Sequence, residues 1–328
     1  MPLTFAALLA VSLAAAPPKC AEFDAQLSKT YGFRPAKLSP DERKAKNAEL
    51  DAFWAAAKSH GADWVPCLRA ALKNPKRDHF FAYDGAQLLR SLSQAAEDQQ
   101  LLLEAYRDAD FDDVQLREWV EGLSRLGFQG VDTSSAAARW FTLPKPQYNV
   151  PEHAQLMGLS AGALFLYGAM DEAVATPALI ALAKKKNPLE VQRTLLYLLA
   201  RQNTPAATAF LKGLTCESEL CPKEAAPEVL ALRKGEGRLT PRASPKVTRE
   251  RFVAAFEGIL KKDWKAFDAI NHELPDAELD LVAVLEPGDL PLLRKVRRLT
   301  ASYANPHMAK LYDELSRALY TLTFERAK

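Results

Sequence analysis

The sequence predicts an all-α protein, and composition is the first reason. The 328 residues include 55 Ala and 49 Leu but only 14 Val and 3 Ile. Ala and Leu are strong helix formers, whereas the aliphatic β-branched residues favour strands. The 14 Gly and 21 Pro suit many helices with proline-marked ends better than a glycine-rich nucleotide-binding fold. No sizeable β-sheet is expected.

Recurring helix-start signals are the second reason. Residues Ser39 to Glu42 place a capping hydroxyl, a proline at the first helical position and a glutamate able to reach back to the cap amide. Asn187 to Glu190 repeats this device, and Thr204-Pro205 and Asn305-Pro306 repeat its first half. Together with the apolar periodicity, these signals predict helices over 21–30, 40–59, 63–73, 77–93, 95–107, 112–126, 134–142, 151–169, 176–186, 188–201, 205–213, 223–233, 248–261, 263–272, 275–285, 289–301 and 306–324.

Three stretches of the chain are similar to one another. Each begins with Pro-x-Leu, at Pro66, Pro177 or Pro291, and continues through Asn-Pro into a leucine-rich helix. The prolines lie 111 and 114 residues apart, which is about three units of 37 to 38 residues. Such self-similarity is typical of stacked helical hairpins, because a single hairpin cannot bury its apolar face alone.

The chain therefore resembles the HEAT-repeat and armadillo-like α-solenoids over residues 62–324. The resemblance implies a curved stack of antiparallel helical pairs that serves as a binding scaffold, usually for proteins. Two Pro- and Gly-rich stretches, 143–151 and 234–245, have the composition of linkers. They predict three helical blocks, at 20–142, 148–233 and 248–328.

The first 16 residues predict export. An uncharged apolar run ending in small residues fits a secretory signal peptide, although no basic residue precedes it. The protein is therefore expected in the periplasm or secreted, without a membrane span in the mature chain. Four cysteines agree with an oxidising compartment. Cys216 and Cys221 are expected to close a short loop, and by elimination Cys20 pairs with Cys67.

No short motif predicts catalysis. Gly158 to Gly162 matches the nucleophile elbow of serine hydrolases, but the run follows a helix start instead of a strand, so close packing at the glycines is the favoured role. Asp108, Asp110 and Asp112 imitate a calcium loop without its glycine and closing glutamate, and helix capping is favoured. The five histidines are widely spaced, and most large aromatic residues are expected in the core. No metal or cofactor is predicted.

The net charge argues against nucleic acid as the partner. A net charge of +2 is too small for the strongly basic face that nucleic acid requires. The densest basic cluster, at Arg294, Lys295, Arg297 and Arg298, is the candidate binding surface, with a solvated helix end as the simpler interpretation. Lys184 to Lys186 are explained by the negative end of a helix.

The sequence thus favours an exported, non-enzymatic scaffold that binds another macromolecule, expected to be a protein, on a concave face. One alternative is a secreted all-α hydrolase that cleaves cell-wall glycan through two carboxylates with raised pKa values in a deep pocket. A third hypothesis, a carrier of lipids or small ligands, requires an enclosed apolar cavity.

Overall fold

A computed structural model describes residues 20–32, 39–74, 79–93, 95–108, 116–143, 158–214, 239–274 and 276–324. Every regular element in these ranges is a helix, which confirms the predicted all-α class. The helices are α1 Cys20–Tyr31, α2 Pro40–His60, α3 Val65–Lys73, α4 His79–Leu92, α5 Ala96–Asp108, α6 Leu116–Phe128, α7 Ser134–Ala138, α8 Leu159–Gly168, α9 Glu172–Ala183, α10 Leu189–Arg201, α11 Pro205–Gly213, α12 Arg249–Leu260, α13 Lys265–Glu273, α14 Ala277–Val284, α15 Leu290–Ala301 and α16 Pro306–Phe324. Turns of 3₁₀-helix cover Gly61–Trp64, Arg139–Phe141 and Pro287–Asp289.

Contacts between residues gather the chain into two compact units, Met1–Ala105 and Tyr106–Lys328. The first unit contains α1 to α4 and most of α5. The second contains the remaining helices. The three blocks expected from the linker-like stretches stay a prediction, and the expected helix at 223–233 lies outside the described residues.

An aromatic cluster forms the centre of the first unit. Phe23 of α1 is fully buried, and its ring centroid lies 5.2 Å from that of Trp64 and 5.9 Å from that of Phe53. Tyr31, eight residues later on the same face of α1, packs 5.3 Å from Phe81. The Phe23–Trp64 and Tyr31–Phe81 pairs are edge-to-face, and aromatic pairs at these distances each contribute about 0.5–1.5 kcal/mol beyond their buried area. The cluster therefore attaches α1 to α2, to the 3₁₀ turn before α3 and to α4.

A disulfide reinforces this attachment. Cys20, the first residue of α1, is bonded to Cys67 on α3, and their Cα atoms lie 5.4 Å apart. The Cys20–Cys67 pair predicted from the sequence is therefore present. Cys216 and Cys221 lie outside the described residues, so their expected disulfide stays a prediction.

The second unit has an apolar core that its C-terminal helices share. Phe252 and Phe256 of α12 pack with residues of α13 to α16, including Leu293 of α15 and Leu319 of α16. Helix α8 is buried from Gly162 to Gly168. An uncharged helix of this kind cannot lie on the surface without exposing apolar area, which is why it lies inside the unit.

Three of the four capping signals found in the sequence occupy the helix starts expected of them. The Ser39 hydroxyl accepts a hydrogen bond from the Glu42 amide, and the Glu42 carboxylate accepts one from the Ser39 amide at 2.8 Å. Thr204 Oγ1 accepts from the Ala207 amide at 3.1 Å. Asn305 Oδ1 accepts from the Met308 amide at 3.0 Å. Each side chain satisfies a backbone donor that the first turn of a helix leaves free.

The expected cap at Asn187 is wrong. Helix α10 begins at Leu189 and Pro188 is its flanking residue. The side-chain amide of Asn187 instead donates to the carbonyl oxygens of Leu182 at 2.9 Å and Lys185 at 3.0 Å. Asn187 therefore closes α9 instead of opening α10.

The three similar prolines are not fully equivalent. Pro66 and Pro291 are each the second residue of a helix that follows a 3₁₀ turn. Pro177 is the sixth residue of α9, because Asp171 starts that helix earlier by accepting from the Ala173 amide at 3.0 Å. The expected equivalence of the three stretches is wrong at Pro177.

Candidate functional site

Helix α15 carries the four basic residues expected to form a binding surface, and the structure places them in different environments. Lys295 is exposed, Arg294 and Arg298 are half-buried, and Arg297 is 1% exposed. Arg297 shares a face with Leu293 and Thr300, four residues before and three after, and this face packs on the core. The four basic side chains are therefore not presented together to solvent.

Arg297 joins α15 to both ends of a helical pair. Its guanidinium forms an ion pair with Glu172, the first residue of α9, and donates from Nη1 to the Arg201 carbonyl at the end of α10, at 2.8 Å. Arg294 Nε lies 3.4 Å from the other oxygen of Glu172. Because one side chain reaches the start of α9 and the end of α10, these two helices run in opposite directions.

Arg298 binds the ends of two further helices. Its Nη2 donates to the carbonyls of Gly127 at 3.1 Å and Phe128 at 3.2 Å, at the end of α6. Its Nε donates to the Ala169 carbonyl after α8 at 3.0 Å. Burial lowers the pKa of the Arg298 guanidinium, and the ordinary value for arginine is high enough to keep the group charged. The positive charge is favoured at helix C-termini, where the dipole is negative.

Arg201 extends the network to α16. Its Nη2 donates to Asp313 Oδ2 at 3.2 Å, and the Tyr197 hydroxyl donates to Asp313 Oδ1 at 3.1 Å. The guanidinium carbon of Arg201 lies 3.4 Å from the centroid of the Tyr197 ring. Burial raises the pKa of Tyr197, so its hydroxyl stays protonated and serves as the donor.

We call Arg201, Arg297 and Arg298 the arginine cluster. Its guanidinium groups bind carboxylates, ring faces and carbonyls that the chain itself supplies, so the cluster organises α6, α8, α9, α10, α15 and α16 around one place. Arg297 Nε is buried without a hydrogen-bond partner among the described residues. The cluster positions helix ends; it does not present a row of free donors to a ligand.

Two carboxylates in the second unit have raised pKa values. Burial raises the pKa of Glu118 on α6, with Glu121 adding repulsion, and one Glu118 oxygen is buried without a hydrogen-bond partner among the described residues. Burial also raises the pKa of Glu314 on α16, with Glu278 of α14 adding repulsion. A carboxyl group with a raised pKa is the kind of group that general acid catalysis uses.

The serine motif lies inside a helix. Ser160 is the second residue of α8, and its hydroxyl is 2.9 Å from Thr194 Oγ1. A Cβ added at Gly162 would overlap the Trp140 ring, so close packing is the role of this glycine. Among the described residues, no heavy atom lies within 4 Å of a Cβ built at Gly158, so this part of the chain does not supply the close packing expected there.

The remaining candidates that lie within the described ranges do not form a site there. Among the described residues, no group of three or more His, Cys, Asp or Glu is arranged to hold a metal ion. Asp110, Asp112 and His153 lie outside those residues. The ring of His60 stacks on that of Trp64, with 4.6 Å between the ring centroids.

Over the same part of the chain, no helix combines the length and the apolar character that crossing a bilayer requires.

Sequence reasoning missed Arg201, Glu172 and Asp313, although it singled out the basic residues of α15. Glu172 and Arg297 are separated by 125 positions, and Arg201 and Asp313 by 112. The one available signal was the helical spacing of Arg297 with Leu293 and Thr300, which places an arginine on an apolar face.

Comparisons with known proteins return no match: no protein-family model, no curated protein and no solved structure is similar to this chain.

Proposed function

We propose that this protein is an exported, non-enzymatic helical-repeat scaffold that binds another protein on the concave face of stacked helical pairs. The proposed arrangement is that of HEAT-repeat and armadillo-like proteins, which the sequence resembles. Stacked pairs share apolar faces with their neighbours and leave an extended surface for a partner.

Contacts between alternate helices carry this proposal. Thr176 Oγ1 on α9 lies 3.3 Å from Thr204 Oγ1 at the start of α11. Ser160 on α8 likewise contacts Thr194 on α10. Since α9 and α10 are antiparallel, these contacts support two layers, α8 with α10 and α9 with α11, as successive helical pairs would form.

Export is supported by two separate features. The first 16 residues have the composition of a signal peptide. The Cys20–Cys67 disulfide would persist in an oxidising compartment and would be reduced in most cytosols. Thiol labelling after cell fractionation tests this part: an exported, oxidised chain supports it, and a reduced chain in the cytosol contradicts it.

Solution scattering tests the stack. A compact globule of this length has a radius of gyration of roughly 20 Å. The mature oxidised chain should clearly exceed that value as a monomer. A monomer with a radius of gyration at or below about 20 Å contradicts the solenoid arrangement.

Binding is tested by passing the exported proteins of the source cells over the immobilised oxidised chain. The expected result is one partner protein retained in a molar amount nearly equal to that of the immobilised chain. Calorimetry on the purified components then measures the affinity. The matched control is the same chain after reduction, alkylation and heat denaturation, with the loss of its helical circular dichroism signal verified before use. Retention by both forms, or by neither, contradicts the proposal.

The glycan hydrolase is the second candidate, because one Glu118 oxygen is buried without a hydrogen-bond partner among the described residues and burial raises the pKa of Glu118 and of Glu314. Release of reducing ends from purified cell-wall glycan tests it. Activity that is lost in Glu118→Gln or Glu314→Gln, and kept in the exposed-site variant Glu257→Gln, would establish the hydrolase and exclude the non-enzymatic scaffold.

A further inference from the structure

We propose that the C-terminal end of α9 docks an acidic segment of a protein partner, an inference that rests on the proposed function. The surface comprises Lys184, Lys185, Lys186 and Leu189, which we call the lysine patch. All four residues are exposed. They occupy the connection from α9 to α10 and the first residue of α10.

The three lysines are not needed to complete the end of α9. The Asn187 amide binds the carbonyls of Leu182 and Lys185, and Gln192 Nε2 donates to the Ala183 carbonyl at 3.1 Å. These side-chain amides satisfy carbonyl groups that a helix end otherwise leaves to water or to basic side chains. Within the part of the chain that the structure describes, no ion pair occupies the three ammonium groups.

Leu189 supplies an apolar contact beside these charges. It is 41% exposed and is the one large hydrophobic side chain that stands out as exposed among the described residues. A single exposed leucine is ordinary on a protein surface. Leu189 differs in its position, because it follows Lys186 by three residues and the charged and apolar side chains belong to the same short exposed segment.

The positive charge extends beyond the three lysines. The stretch 184–193 holds four basic residues, with Arg193, against the single acid Glu190. Thr176 of α9 contacts Thr204 at the start of α11. Lys184 lies eight residues after Thr176, and Lys212 lies eight residues after Thr204. Because α9 and α11 run in the same direction in the proposed arrangement, Lys212 lies on the same end of the unit as the lysine patch.

This chemistry fits an acidic protein segment with an apolar side chain among its carboxylates. Lysines at the rim of an interface attract and orient an acidic partner, and a buried apolar contact supplies much of the affinity. An anionic membrane is the weaker fit, because stable attachment needs a second apolar or lipid anchor besides a short basic cluster.

Fluorescence anisotropy tests the proposal on the mature oxidised chain. The probe is a labelled synthetic peptide of glutamate and aspartate around a central leucine, and its control has serine in place of the leucine. The patch variant is K184E/K185E/K186E. The matched control is K261E/K262E/K265E, which reverses three exposed lysines at the turn between α12 and α13.

The patch variant should bind the leucine peptide at least about tenfold more weakly, whereas the control variant should change affinity by less than about twofold. Leu189→Ser should weaken the leucine peptide by about fivefold and leave the serine peptide unchanged. Unchanged circular dichroism and thermal midpoints confirm that each variant is folded.

Three results would overturn the proposal. Equal loss in the two triple variants would show non-specific attraction. Lysine-dependent sedimentation with phosphatidylserine vesicles, without peptide binding, would assign the patch to a membrane. A dimer that the patch variant cannot form would assign it to a second copy of the chain.

The capture experiment separates this inference from the proposed function. A partner that the wild-type, patch and control chains all retain would leave the scaffold function standing and refute the docking surface. Peptide binding that requires the patch, together with failure to retain any partner, would support the surface chemistry and refute the scaffold function.

Discussion

Arg297 on α15 and Glu172 on α9 form a buried ion pair, in which the arginine is 1% exposed and the glutamate side chain 13% exposed. Both charges are removed from most of the water, so Arg297 depends on Glu172 for compensation, and Glu172 depends on Arg297 together with Arg294, whose Nε lies 3.4 Å from its other oxygen. A pair of this kind does not guarantee high stability, but removing one partner leaves an uncompensated charge.

Replacing Arg297 by Met should therefore lower the free energy of unfolding by about 3–5 kcal/mol. Denaturant unfolding followed by circular dichroism measures the change. Lys295→Met on the same helix is the control, and its effect should stay within about 0.5 kcal/mol because that side chain is exposed. Adding Glu172→Gln to Arg297→Met should recover part of the loss. Equal losses of unfolding free energy in Arg297→Met and Lys295→Met would refute the role assigned to Arg297.

The Cys20–Cys67 disulfide should stabilise the first unit. The cysteines are separated by 47 residues, and the chain-entropy relation assigns a loop of that length about 4 kcal/mol. Cys20→Ser with Cys67→Ser should speed hydrogen exchange of the α1 amides, while amides of α16 keep their rates. Unchanged exchange in α1 would mean that the aromatic cluster around Phe23 holds the helix without the disulfide.

Acid should weaken the first unit through Asp98. Hydrogen bonds from Arg69 at 2.6 and 2.8 Å hold the pKa of the Asp98 carboxyl below its ordinary value of 3.8. Because the folded-state pKa is depressed, the stabilisation is complete above that ordinary value and is lost as pH falls through the folded pKa. Asp98→Asn should thus lower the unfolding free energy at pH 7 and reduce its decline toward acid. The exposed Asp51→Asn serves as the control, and an identical acid profile in the two variants would contradict the assignment.

Lys262→Gly should raise stability by about 0.5–1 kcal/mol. Lys262 has a φ of 65° after α12, and its amide donates to the Ile259 carbonyl while the Asp263 amide donates to that of Gly258. This is a Schellman motif, in which glycine is the relaxed residue. Asn203→Gly is the contrasting variant.

Asn203 also has a positive φ, of 50°, but its side-chain amide donates to the Ser316 carbonyl at 2.9 Å. Glycine there loses that buried hydrogen bond, so Asn203→Gly should not stabilise the chain. Thermal unfolding of both variants compares the two positions. A gain at Asn203 as large as that at Lys262 would show that the hydrogen bond to Ser316 contributes little.

Local signals predicted the helices well, because helix capping and apolar spacing both depend on residues that are close together in the sequence. Ser39, Thr204 and Asn305 each cap the helix expected of them. The cap expected at Asn187 is absent for a physical reason. The side-chain nitrogen of Asn187 donates hydrogen bonds at the end of the preceding helix. The sequence Asn-Pro does not show whether the amide oxygen will accept from the next helix or the amide nitrogen will donate to the previous one.

Long-range pairing was beyond the sequence. A run of arginines on α15 has the same sequence whether the side chains face water or a distant carboxylate. No residue close to Arg297 in the sequence indicates that Glu172 is its partner. The Cys20–Cys67 bond was predictable because only four cysteines exist and two of them lie close together in the chain.

The arginine cluster also sets an order of events in biosynthesis. Arg297 and Arg298 bind groups that the ribosome produced 96 to 171 residues earlier. While the polypeptide is still being made, Glu172 and the carbonyls at the ends of α6, α8 and α10 lack the arginine partners that α15 supplies. The second unit therefore reaches its native packing only after α15 has emerged, and a chain truncated before Leu290 would keep these helix ends hydrated.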